Sequence, residues 1–198
     1  MKIFATKKGT VQYYDDSGRH KVATVLELKK TIVAKSEKIG DETLTHYALV
    51  TKKQLAKKPV VGQYKAAGSF SKIVTSKGAT DTKVSQGVGV EAISENDQVT
   101  VFARTKGKGF AGTIKRHGFH RGPKSHGSRN YRRPGSIGDT GPQRVVKGKK
   151  MAGHMGYENK TLKDIPVVRV IKDESRLWLR GHIPGPKGSL LVIERKND

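Results

Sequence analysis

Residues 104–160 hold 15 lysines and arginines, two acids (Asp139 and Glu158) and 12 of the chain's 23 glycines, but only 12 hydrophobic residues. This 57-residue stretch therefore carries a net charge of +13. Such a segment buries too little apolar surface to offset its own ordering entropy. It is expected to be ordered by a partner or not at all. The other 141 residues carry 25 bases, 15 acids and 55 hydrophobics, so the flanks hold the core material and the middle holds the charge.

The whole chain has 198 residues and a formal charge of +23. A soluble domain this size usually carries a net charge of only ~2–8, and a large excess opposes compaction unless a polyanion offsets it. That argues against a stand-alone metabolic enzyme and for nucleic acid as the first partner, ahead of an anionic membrane surface. The absence of cysteine excludes disulfides, thiolate zinc sites and cysteine nucleophiles. No apolar run reaches the ~20 residues of a membrane span, and the start lacks a signal-peptide stretch, so an intracellular soluble protein is expected.

The flanks read as β structure. Residues 20–28 alternate as a half-buried strand does, and Asp15-Asp16-Ser17-Gly18 forms a hairpin turn between them and residues 11–14. Residues 31–34, 46–50, 98–103, 167–171, 176–180 and 190–193 are further strands, with turns at 172–175 and 184–188. Residues 52–72 fit short helices or loops. The fold class expected is mostly β: a small β-barrel domain built from residues 1–103 and 161–198, with residues 104–160 as a long, basic, Gly-rich extended loop.

Gly107-Lys108-Gly109-Phe110-Ala111-Gly112 matches the G-x-G-x-x-G of dinucleotide-binding turns. That chemistry needs a following helix, a parallel strand and an acid about twenty residues on. Thr113-Ile114-Lys115-Arg116-His117-Gly118 and then a Gly/Pro/Arg-rich run follow, so no cofactor is expected. Of histidines 117, 120, 126 and 154 in the basic segment, His117 and His120 sit beside Lys115, Arg116, Arg121 and Lys124, which repel a cation, and no metal is expected. Ser125-His126 and Ser128 lack an acidic orienter for nucleophilic catalysis. Glycines 148, 153 and 156 interrupt any membrane-binding helix over residues 147–156. Trp178 reads as packing in or beside the core.

The better reading of the middle segment is an RNA interface. Lys106, Lys108, Lys115, Arg116, Arg121, Lys124, Arg129, Arg132, Arg133, Arg144, Lys147, Lys149 and Lys150 would meet phosphates. His117, His120, His126 and His154 would stack or hydrogen-bond. Gly107, Gly109, Gly112, Gly135, Gly138, Gly148 and Gly153 would let the backbone approach closely. Phe110, Phe119, Tyr131 and Tyr157 are spaced to stack on unpaired bases.

Five runs carry a resemblance: residues 106–112 (Lys-Gly-Lys-Gly-Phe-Ala-Gly), residues 115–123 (Lys-Arg-His-Gly-Phe-His-Arg-Gly-Pro), Ser125-His126-Gly127-Ser128, Arg133-Pro134-Gly135-Ser136-Ile137-Gly138, and residues 146–156, ending Met151-Ala152-Gly153-His154-Met155-Gly156. In order and spacing they resemble the bacterial-type large-subunit ribosomal protein three family. The likeness extends over residues 157–198 and is weaker over the first hundred. It implies a β-barrel domain on the ribosome surface and a loop that penetrates large-subunit ribosomal RNA towards the peptidyl-transferase centre. It also implies RNA binding early in assembly, neighbouring large-subunit proteins as partners, a cytoplasmic ribosome, and a structural, non-enzymatic role without homo-oligomer or membrane. Lys7-Lys8 lead to Gly9-Thr10-Val11 where the family usually has glycine and methionine. A glycine-rich stretch is missing around Val50-Thr51-Lys52, and Asp139-Thr140-Gly141-Pro142-Gln143 is one residue short of the common pattern. The chain is also short for the family, and its N-terminal half is read as trimmed or rearranged. Gln143 is not taken as the counterpart of the family's methylated glutamine. A nucleoid-type DNA protein is the alternative, although no signature of a dimer or of duplex symmetry is present.

Overall fold

The computed structural model describes residues 2–40, 42–50, 56–67, 70–77, 87–88 and 93–195. Strands β1 (Lys2–Tyr14), β2 (His20–Leu28), β3 (Thr31–Ile39) and β4 (Glu42–Leu49) come first. Helix α1 (Lys58–Gln63), a 3-10 turn (Lys65–Ala67), β5 (Lys72–Lys77), β6 (Gly87–Val88) and β7 (Gln98–Arg104) follow. Then come β8 (Gly109–Ala111), α2 (Thr113–His117), β9 (Gly153–Met155), β10 (Asn159–Ile171), β11 (Arg176–Arg180) and β12 (Leu190–Arg195). The protein is mostly β, as its patterning implies. It divides into two compact units, one of Met1–Arg104 with Asn159–Asp198 and one of Thr105–Glu158.

In the first unit six strands pair in the order β1-β12-β7-β10-β11-β2, and β2 pairs back onto β1 to close a barrel. Every pairing is antiparallel. Period-2 alternation sends Leu177 and Leu179 of β11 inward with no exposure, and leaves Trp178 between them on the outer face. Val99, Val101, Leu191 and Ile193 fill the same core. Each such side chain contributes roughly 1.5–3 kcal/mol on burial.

A second sheet, β5-β4-β3-β6, belongs to this unit. Tyr47 and Leu49 of β4 join the barrel core, and the Phe4 and Tyr47 rings lie 5.4 Å apart. Ala48, on the other face of β4, packs with Ala34, Ala67 and Phe70 beside Val61 of α1. The strand is therefore buried on both faces.

Several elements differ from the sequence expectation. The strand expected at 11–14 is the end of β1, which begins at Lys2. Ile3, Phe4 and Ala5 are all buried, so no alternation marks them. Strands β3 and β4 run on beyond residues 31–34 and before residue 46, because their ladder continues through exposed or half-buried residues such as Lys35, Ser36 and Lys38. Within residues 52–72 the chain forms α1 and the 3-10 turn, with Pro59 at the helix start. Residues 51–55 and 68–69 lie outside the described residues, and with them Thr51 and Lys52 of the position expected to lack a glycine-rich stretch.

The hairpin expected at residues 15–18 is present. Gly18 takes φ +72° there, and the Asp15 carboxylate accepts from Ser17 Oγ at 2.7 Å and the Arg19 amide at 2.8 Å. Lys21 completes an ion pair with it, and this pair, then Ser17 and Arg19, holds the Asp15 carboxyl well below the usual carboxylate range.

Candidate nucleic-acid interface

The second unit is held mainly by backbone. β8 and β9 pair antiparallel, with Gly109 opposite Met155, Phe110 opposite His154 and Ala111 opposite Gly153. Beyond them the Lys108 amide donates to the Met155 carbonyl at 3.0 Å and the Thr105 amide to the Glu158 carbonyl at 2.9 Å. The Glu158 amide in turn donates to Thr105 Oγ1 at 3.1 Å. The two ends of Thr105–Glu158 are thus zipped together at their base. Ala111 and Thr113 are its buried residues, so a packed core contributes little.

A five-residue helix follows the glycine motif, where none was expected. Gly112 is its N-cap, and Gly118 ends it in the left-handed region (φ +72°), its amide bonded to the Ile114 carbonyl. The short run lacks apolar periodicity, so a terminating glycine was its main sequence signal. The motif is not a dinucleotide turn, because the strand partner is antiparallel and the helix spans little more than one turn.

Arg116 and His117 lie in this helix and fasten the returning chain. Arg116 Nη1 donates to the Met151 carbonyl at 2.8 Å, and His117 Nε2 donates to the same oxygen at 3.0 Å. A carbonyl only accepts, so Nε2 is the donor in this contact. Gly153 is close-packed here against protein: a Cβ at this position would lie 2.7 Å from Arg116 Nη1. The absence of a side chain makes room for the Arg116 guanidinium.

Two glycines outside the expected set matter as much. Gly156 has φ +76°, and a Cβ there would run into the Lys106 carbonyl oxygen and lie 3.2 Å from Lys108 N. At Gly122 a Cβ would lie 2.8 Å from the Asn130 carbonyl oxygen, while the Gly122 amide donates to the Tyr131 carbonyl at 3.0 Å. No local sequence pattern separates these two from the other glycines, since their role depends on residues 50 and 8 positions away. Gly109, Gly135 and Gly148 also have positive φ but face open space; Gly107 and Gly138 are uncrowded, as is Gly112.

Electrostatics dominate what remains. Lys106, Lys108, Lys115, Arg116, His120, Arg121, Lys124, His126, Arg129, Arg132, Arg133, Arg144, Lys147, Lys149, Lys150 and His154 are all exposed or half-buried, and so is His117. Thr105–Glu158 has 13 lysines and arginines against two acids, a net charge of +11. Among the described residues no ion pair engages any of these cations. Arg121 Nη1 instead donates to the Tyr131 hydroxyl at 3.2 Å. Phe110 is 79% exposed and Tyr157 57%, whereas Phe119 and Tyr131 are half-buried. A recess of about 450 Å³ lined by Lys106, Lys108, Arg116 and His117 lies at the zipped base. Among the described residues no cluster of three His, Asp or Glu side chains is spaced to hold a metal ion.

Unneutralised cations on a backbone with almost no core are the make-up of proteins that are components of ribonucleoprotein particles. The family described as Ribosomal protein L3 matches residues 2–191 of the chain. A large ribosomal subunit protein uL3 from Pelotomaculum thermopropionicum is 37% identical over 98% of this chain and 95% of its own length. The Streptococcus mutans protein of that name is 37% identical over 97% and 95%. One from Desulforapulum autotrophicum is 43% identical over 70% and 69%. The chain belongs to the ribosomal protein L3 family. Its N-terminal half lies inside the match, and the chain spans about 95% of the first relative's length, so it is not short for the family.

Proposed function

We propose that this protein is a structural constituent of the large ribosomal subunit and binds large-subunit ribosomal RNA directly, early in assembly. Residues 104–160 form the RNA-penetrating segment and reach towards the peptidyl-transferase centre, and residues 1–103 and 161–198 form the barrel domain. The observation that carries this reading is the set of 13 lysines and arginines on Thr105–Glu158, none in an ion pair among the described residues, in a chain of this family. Histidines 117, 120, 126 and 154 and the exposed aromatics add stacking and hydrogen bonds to bases, and the open glycines Gly107, Gly109, Gly112, Gly135, Gly138 and Gly148 bring the backbone near phosphates. The role is not enzymatic and uses no cofactor or metal; peptide-bond chemistry is left to RNA. Neighbouring large-subunit proteins are the other partners, in a cytoplasmic, bacterial-type ribosome, with no membrane and no homo-oligomer.

The test is co-sedimentation with large subunits through a moderate-salt wash, combined with crosslink mapping on protein-free large-subunit RNA. Retention on the particle, with crosslinks from residues 104–160 near the catalytic centre, is the expected result. Equal binding to duplex DNA, or loss from the particle in the wash, would overturn it.

A further inference from the structure

The outer face of the barrel carries a feature that the basic segment does not explain. Four residues stand in one cross-strand row: Arg169 on β10 is opposite Trp178 on β11, Trp178 is opposite Val25 on β2, and Val25 is opposite Gly9 on β1. Directly opposed residues share a face of the sheet, so these form one continuous strip. The Arg169 guanidinium lies 5.9 Å from the centre of the Trp178 ring, within cation–π range. On the β2 and β1 side of the ring the strip is bare. Gly9 has no side chain, and a Cβ there would meet nothing within 4 Å. The result is a recess of about 310 Å³ with Trp178 as one wall, Val25 and Gly9 below, and Lys8, Thr10 and Arg176 around it.

The surrounding charges favour an anionic occupant. Lys8 and Lys29 share Glu27, and Arg176 pairs with Glu174, so both carboxylates are already neutralised. With Arg169, four cations stand against two carboxylates. A volume near the lower end of the ~300–1,000 Å³ of ligand sites suits a single nucleoside, not a helix. An aromatic wall with cations at its rim is how proteins hold unpaired nucleotides.

We infer that this recess is a second RNA contact, in which one unpaired base stacks on Trp178 while Lys8 and Arg176 meet its flanking phosphates. It extends the function proposed above from the basic segment to the barrel, and it depends on that reading only for the class of polymer.

Trp178 is the only tryptophan of the chain, so its fluorescence reports this site directly. The full-length protein is titrated with a short oligoadenylate and with an abasic oligonucleotide of equal length and charge. Quenching by oligoadenylate and little change with the abasic strand is expected. Gly9→Val fills the recess, and Gly9→Ala fills it in part; the site is open and Gly9 lacks positive φ, so far-UV circular dichroism should match the parent. Half-saturation of quenching should move to roughly 5–150-fold higher concentration in Gly9→Val, the loss of one stacked base, and less far in Gly9→Ala. Equal quenching by both strands, or unchanged quenching in both variants, overturns the inference. So does a Trp178 signal that ignores RNA and changes only when other large-subunit proteins are added, which assigns the strip to a protein neighbour. Failure to co-sediment with the subunit would leave an oligoadenylate-specific signal standing, so the two proposals fail separately.

Discussion

Gly156→Ala tests whether the basic unit is held by its zipped base. Alanine at φ +76° carries the left-handed penalty of about 1–2 kcal/mol. Its methyl also collides with the Lys106 carbonyl, and Lys106 C and Lys108 N lie 3.2 Å away, so the two backbones must part. Parting stretches the Lys108–Met155 and Thr105–Glu158 bonds, now 3.0 and 2.9 Å. If both break at ~0.5–1.5 kcal/mol each, local opening becomes easier by roughly 2–5 kcal/mol in all. That is more than tenfold in the opening equilibrium. Gly109→Ala is the matched control, because its φ of +67° brings the same penalty while the space around it is open. Hydrogen exchange resolved by residue should show the Lys108 and Thr105 amides exchanging much faster in Gly156→Ala than in Gly109→Ala. Barrel amides such as Leu177 and Leu179 should be unchanged in both. Parental protection at Lys108 in Gly156→Ala, or equal loss in the two variants, would refute the zipped base.

Three other outcomes are expected. Replacing Lys115, Arg132 or Arg133 by glutamine should flatten the salt dependence of RNA-fragment binding by ~0.7–0.9 for each phosphate no longer neutralised, whereas Arg116→Gln should also loosen the chain at Met151, seen as faster exchange there. Replacing Thr105–Glu158 by a short Gly/Ser linker should leave a cooperative β-rich domain by circular dichroism, since Arg104 and Asn159 are register partners and the joined ends already meet. The Asp15 carboxyl is lowered in the fold, so its contribution to stability is present above the unfolded pKa of ~3.9 and is lost as pH falls through the lower folded value. The melting-temperature deficit of Asp15→Asn should therefore be full at neutral pH and vanish in strong acid; a deficit that grows in acid contradicts the hairpin ion pair.

The basic segment, the strands around residues 20–28, 98–103, 176–180 and 190–193, and the Asp15–Gly18 turn were legible from the chain alone. Net charge is a sum over residues, alternation is a property of neighbours, and a turn is set within four residues, so none of them needs distant partners. The start of β1 escaped that reading because Ile3, Phe4 and Ala5 are buried on both faces, and a strand without alternation has no period to detect. Barrel closure depends on β12 entering between β1 and β7, placing Lys2 opposite Glu194. Nothing near either residue encodes that pairing; it follows from burying the inward side chains of six strands at once. The same holds at single residues. Alternation put Trp178 on a strand, but the neighbours Val25, Gly9 and Arg169 made its outer face a recess. Gly153 and Gly156 look alike in the sequence, yet one makes room for the Arg116 side chain and the other for the Lys106 backbone. A glycine's task is defined by the atoms a Cβ would strike, and those atoms arrive only when remote segments of the chain meet.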